Sequence, residues 1–269
     1  MHVAEAGPPD GEPVLLLHGW PQHWYEWRGL VPLLSPRYRL LMPDLRGLGS
    51  TEVTKRGYEK ENLARDQIAL LDELGIDKVK LIGHDWGGYA GFLMCLLWPE
   101  RVERYLATNI IHPWPKPSVR GLLDLWRVTY QLPMVLPFLG PRVTRKRGFV
   151  KFFLNGSKKG VFSEEELEAF EAPLRDPLRS PSTAGYYRSF QRHDLPLLLR
   201  RHWTQYRLSV PTLLLLGTGD FAIPPRSLEG YEPYADDMRV EQIPDTGHFV
   251  VDAAPDVVGR KALEFFEAR

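Results

Sequence analysis

Short apolar runs alternate along this chain with longer stretches whose apolar positions recur every three to four residues. Residues 14–17, 39–42, 79–83, 105–111, 212–216 and 239–243 read as buried strands. Residues 2–6 read as one edge strand. Residues 24–34, 61–74 and 254–266 read as helices, and a fourth follows the strand at 79–83 and stops before Pro99. In the second of these, Ala64, Ile68 and Leu71 share a face and Gly75 closes the helix. Strand–helix alternation predicts an α/β protein with a mostly parallel sheet covered by helices on both faces. The alternation breaks over residues 112–209, which are proline-rich and helical in pattern. There Ser163 followed by Glu166 predicts a capping box. The expected organisation is a core of residues 1–111 and 210–269 with a helical cap, 112–209, inserted between core strands.

Composition adds limits. The chain has 269 residues, 43% hydrophobic and 25% charged, the balance of a globular protein. No apolar run approaches the roughly 20 residues of a membrane span. No signal peptide is visible at the start, and the one cysteine, Cys95, sits in an apolar helical run and reads as a core thiol. A cytoplasmic location is expected. Net charge is zero but divided: residues 113–209 hold 17 Lys+Arg against 8 Asp+Glu, and the rest of the chain 17 against 26. Arg142, Arg145, Lys146, Arg147, Lys151, Lys158 and Lys159 carry much of the excess. A solvated helix face, contact with an anionic surface, and a homodimer joining cap to core are the three readings. The basic segment lacks a nucleic-acid module, so no nucleic-acid partner is expected. There is no H-E-x-x-H and no cysteine pair, so no metal is expected.

The chemistry begins at Gly83-His84-Asp85-Trp86-Gly87, a G-x-D-x-G frame between a strand and a helix. With serine at its centre, this frame is a tight turn that lifts a nucleophile into a cleft. Asp85 in that place changes what can be done. A serine alkylated at saturated carbon gives a stable ether, whereas an aspartate gives an ester that water can cleave. His248, just after the strand at 239–243, is the candidate base. Asp220, after the strand at 212–216, is the candidate acid that orients it. Both fall at strand carboxyl ends, where open α/β sheets bind ligands. The slot after the strand at 105–111 is another place for an acid, but it holds Asn109. The backbone N–H groups of Trp86 and Trp20 are the candidate oxyanion donors, and a cis Trp20–Pro21 peptide is expected. Trp126, Phe221 and Phe249 are candidate pocket walls.

HGWP (18–21), PDLRGLG (43–49), GHDWGG (83–88), LLGTGD (215–220) and DTGHF (245–249) together resemble the α/β-hydrolase superfamily, in its epoxide hydrolase and haloalkane dehalogenase branch. The resemblance spans nearly the whole chain. It implies Asp85 as nucleophile, His248 as base, Asp220 as acid, no cofactor, and substrate bound between cap and core. It also implies tyrosine donors on the cap for an opening epoxide. Tyr186-Tyr187-Arg188 is similar to the second tyrosine motif, making Tyr187 a donor. The first motif would place a tyrosine five residues before Gln131, where this chain has Trp126. Tyr130, four residues after Trp126, is the candidate replacement. Epoxide opening to a vicinal diol is the expected reaction, with a small apolar epoxide and water as reactants. A haloalkane dehalogenase with Trp86 and Trp126 as halide donors is the alternative, and a catalytically silent binding protein is the third.

Overall fold

The computed structural model describes residues 1–116, 129, 131–136, 138–157 and 160–268. Seven strands form one sheet: β1 (Val3–Ala6), β2 (Glu12–Leu17), β3 (Tyr38–Pro43), β4 (Val79–His84), β5 (Val102–Thr108), β6 (Thr212–Gly217) and β7 (Met238–Ile243). Their order is β1-β3-β2-β4-β5-β6-β7, with β1 antiparallel to β3 and the other pairs parallel. The inner stretches of the central strands, Val14–Leu17 of β2, Leu81 and Ile82 of β4, Tyr105–Ala107 of β5 and Leu213–Leu216 of β6, are apolar because both their faces are buried. Successive residues serve opposite sides: Leu15, Leu17, Leu81, Leu214 and Leu216 face one cluster, and Val14, Leu16, Ile82, Leu213 and Leu215 the other.

The first cluster packs under α2 (Lys60–Glu73) and α3 (Asp85–Leu97), the second under α1 (Val31–Leu34), α10 (Val250–Ala253) and α11 (Pro255–Glu267). Cys95 lies wholly inside the first. Two expectations shift. The helix at 24–34 divides into a 3-10 stretch, Trp24–Gly29, and α1. Gly29 ends the first piece, and Pro32, which cannot continue a hydrogen-bonded turn, sits in the first turn of the second. The strand at 105–111 ends at Thr108, because Asn109 turns the backbone left-handed at φ 43°.

Between β5 and β6 the described residues are helical: α4 (Gln131–Val135), α5 (Leu139–Thr144), α6 (Phe149–Ser157), α7 (Glu164–Arg175), α8 (Ser180–Ser189), a π-helical turn at Phe190–Asp194, and α9 (Leu195–Leu199). The capping box at α7 forms: Glu166 N–H donates to Ser163 Oγ at 3.2 Å, and Ser163 N–H donates to Glu166 Oε2 at 2.7 Å. These helices join the first apolar cluster through Met134, Leu154, Phe170 and Tyr187, and Phe153 and Tyr187 meet Trp20, just beyond the end of β2. Two ionic links fasten them to the core. Arg28 joins Asp252 at 2.5 Å and Glu166 at 2.6 Å. Lys60, wholly buried, donates from Nζ to the Tyr58 and Tyr186 carbonyls at 3.2 Å and lies 3.6 Å from Asp194. Among the described residues no helix is long and apolar enough to cross a membrane.

Candidate active site

Because β2, β4, β5, β6 and β7 run parallel, their carboxyl ends meet along one edge, and the loops there converge. At the end of β4, Asp85 takes a left-handed φ of 46°, which turns its side chain outward as α3 begins. Glycine on either side makes this turn possible. A Cβ on Gly83 would meet Gly88 Cα at 2.8 Å, and one on Gly87 would meet the Leu17 carbonyl oxygen at 2.2 Å.

Asp85 Oδ2 accepts a hydrogen bond from Trp20 N–H at 2.9 Å. The Trp20–Pro21 peptide is cis, as expected. Trp86 N–H belongs to the first turn of α3, where amides lack an intrahelical acceptor. His248 Nε2 stands 3.8 Å from Asp85 Oδ1, near but beyond a direct hydrogen bond. His248 Nδ1 meets Asp220 Oδ2 at 2.9 Å. Asp220 is further held by Asn109 Nδ2–H at 2.6 Å and by the Ala222 and Ile223 N–H groups at 2.7 and 3.0 Å. Burial pushes the Asp220 pKa up, but His248 and these donors outweigh it and hold the carboxyl below its ordinary value. Asp220 therefore stays an acceptor for Nδ1–H, and this bond turns the other ring nitrogen, Nε2, toward Asp85.

The space above Asp85 and His248 has two lobes. One, about 110 Å³, is lined by Trp86, Tyr89, Ile110, Gln131, Phe190 and Ile223. The other, about 10 Å³, is lined by Trp20, Phe153, Tyr187, Phe221 and Phe249. Tyr187, buried on α8, meets Trp20 edge-on with ring centroids 5.4 Å apart, and Trp86 at 5.8 Å. Phe221 and Phe249 flank the His248 ring at 5.4 and 5.2 Å. Trp126 and Tyr130 lie outside the described residues. A larger groove, about 670 Å³, runs between residues 52–58 and α8, but it touches neither Asp85 nor His248.

Sequence reasoning missed the layer beneath. His84, just before Asp85, is wholly buried, and its Nδ1 meets Glu26 Oε1 at 2.8 Å. Its Nε2 donates to the His248 carbonyl at 2.9 Å, and Glu26 Oε2 accepts from Gly19 N–H at 3.1 Å. Burial alone would lower the His84 pKa, but Glu26, then Asp85, more than offset it and hold it at about 9. One buried ion pair thus ties the Trp20 loop, the Asp85 turn and the His248 loop together. A histidine with a raised folded pKa adds stability that is complete below its unfolded value near 6.5 and is lost as pH rises through about 9. The shift is worth about 3 kcal/mol, to order of magnitude. Denaturant unfolding between pH 7 and 10 should show this loss, and Glu26→Gln should remove it. The same pH slope in both proteins would mean that the pair is not charged.

A family profile described as alpha/beta hydrolase fold matches residues 12–255. The chain is 30% identical over 277 residues to a soluble epoxide hydrolase from Corynebacterium sp. (strain C12), covering 99% of this chain and 93% of that protein. It is 31% identical to epoxide hydrolase 2 from Siraitia grosvenorii over 82% of this chain and 78% of that one. Among solved structures, the ligand-free epoxide hydrolase CorEH superposes with a TM-score of 0.84 at 30% identity, covering 98% and 94% of the two chains.

Proposed function

Because the chain belongs to the α/β-hydrolase family, in its epoxide hydrolase-like branch, we propose that it opens a small apolar epoxide to a vicinal diol through an ester on Asp85. The observation that carries this reading is an aspartate at the strand–helix turn beside a histidine whose far nitrogen is held by a second aspartate. Residues 112–209 act as the cap that closes over Asp85, and a cytoplasmic setting fits the single buried thiol.

The reaction has two steps. Asp85 Oδ1, the oxygen not held by Trp20 N–H, attacks a ring carbon from the back. The ring C–O bond breaks, and Tyr187 supplies a proton to the departing oxygen. Tyr130 is the second donor candidate. His248 Nε2 then takes a proton from water, and the hydroxide adds to the Asp85 carboxyl carbon. The tetrahedral oxyanion is held by the Trp20 and Trp86 N–H groups, each commonly worth about 10²–10³ in rate. Collapse breaks the ester C–O bond; the departing diol oxygen takes the proton held on His248 Nε2, and the proton of the new Asp85 carboxylic acid returns to the Tyr187 phenolate, which restores the starting state.

A second reading has one observation in its favour. Trp86 Nε1 is buried beside Asp85 without an acceptor among the described residues, a donor that suits a departing halide as well as an epoxide oxygen. A panel of styrene oxide, a long-chain epoxide and a bromoalkane separates the two. Diol from an epoxide is expected. Halide release without diol would establish the dehalogenase, and turnover of none would leave a binding protein.

A further inference from the structure

From residue 125 to residue 163 the chain has no acidic residue and eight basic ones. Helices α4, α5 and α6 of the proposed cap fall in this stretch and pack side by side. Each has an inner and an outer side. On α4, Met134 is buried and Gln131 lines the lobe beside Asp85, while Leu132 points out. On α6, Val150 and Leu154 are buried and Phe153 lines the Tyr187 lobe, while Phe152 points out. Leu132, Leu136, Phe138, Leu139 and Phe152 are 42–76% exposed. Arg142, on α5, follows Leu139 by one turn, and Arg145 and Lys146 follow at the helix end. These three cations have no acidic partner among the described residues, whereas Lys151 is paired with Glu164 and Glu168.

A merely solvated basic face does not explain large apolar side chains standing among the charges. A second copy of the chain would offer acids, since residues outside 113–209 hold 26 acidic against 17 basic. Among the described core residues, however, Met1 is the one large apolar side chain that stands exposed, so a second core is a poor cover for Phe138 and Phe152. Cations interleaved with exposed Phe and Leu, with no acid on α4, α5 or α6, suit a surface that is anionic outside and apolar beneath.

We propose that the outer face of α4, α5 and α6 docks on an anionic phospholipid bilayer. Arg142, Arg145 and Lys146 meet headgroup phosphates and carboxylates, and Phe138, Phe152, Leu132 and Leu136 enter the boundary below them. Two of these helices, α4 through Gln131 and α6 through Phe153, also wall the Asp85 cavity, which gives a lipid-dissolved substrate a short route inward; this last clause rests on the epoxide reading, and the docking does not.

The test sediments the full-length protein with phosphatidylcholine vesicles, with and without phosphatidylserine, at low and high salt. Binding should require phosphatidylserine and fall with salt. Neutralising each cation should weaken it about fivefold, and R142Q/R145Q/K146Q together about a hundredfold. F138S/F152S should weaken it about tenfold or more. Both variants should keep the parent's thermal unfolding and its rate on styrene oxide, because none of these side chains lines the cavity. Absence of vesicle binding, binding equal in parent and triple variant, or an effect confined to a monomer–dimer equilibrium by light scattering would each overturn the proposal. None of these readouts depends on which substrate the enzyme opens.

Discussion

Replacing His248 with Gln is expected to stop the enzyme with its substrate covalently attached. Alkylation needs Asp85 and a donor for the epoxide oxygen, and His248 takes part in neither. Its Nε2 stands 3.8 Å from Asp85 Oδ1, and Nδ1 is tied to Asp220 at 2.9 Å, an arrangement for removing a proton from water. A glutamine amide cannot accept that proton as a base. Turnover should fall by about 10⁴-fold, while the first alkylation proceeds. Intact mass spectrometry should show one adduct of the substrate's mass, and peptide mapping should place it on Asp85. A variant that is folded, inactive and free of adduct would put His248 in the first step and contradict the order of events.

The second large effect concerns Tyr187. Its ring is buried between Trp20 and Trp86, in the lobe that also contains Asp85 and His248. An alkoxide leaving into an apolar space needs a proton, and a halide does not. Tyr187→Phe keeps the ring packing and removes the hydroxyl. Epoxide opening should slow by about 10²-fold or more, with bromoalkane hydrolysis changed little. Tyr130→Phe, measured beside it, tells whether a second hydroxyl shares the load. Equal loss on both substrates would make Tyr187 a packing residue.

What the sequence disclosed and what it concealed divides along a physical line. Asp85, His248, Asp220 and Trp20 each follow a strand of strong apolar pattern, and a parallel sheet must bring their loops to one edge. Local pattern and chain order sufficed for them. The Glu26–His84 pair lies 58 positions apart in sequence, and neither residue carries a local sign of its partner. Buried ion pairs arise from tertiary packing, so a glutamate in an aromatic turn reads simply as a surface acid. Lys60 with Asp194 is the same case, at the start of one helix and the end of a π-turn. In the sequence Asn109 reads only as a missing carboxylate; its left-handed backbone and the amide N–H it donates to Asp220 belong to the fold. The charge asymmetry was evident in the sequence, but not that apolar side chains stand exposed among the basic ones.

The central claim is that Asp85 becomes an ester and that water then attacks its carboxyl carbon. A single turnover in H₂¹⁸O, with enzyme in excess over epoxide, tests this directly. The first diol released should carry unlabelled oxygen from Asp85, and mass analysis of the peptide containing Asp85 should show ¹⁸O in its carboxylate. Label in the first diol with none in Asp85 would mean that water attacks the epoxide itself and that Asp85 is not the nucleophile.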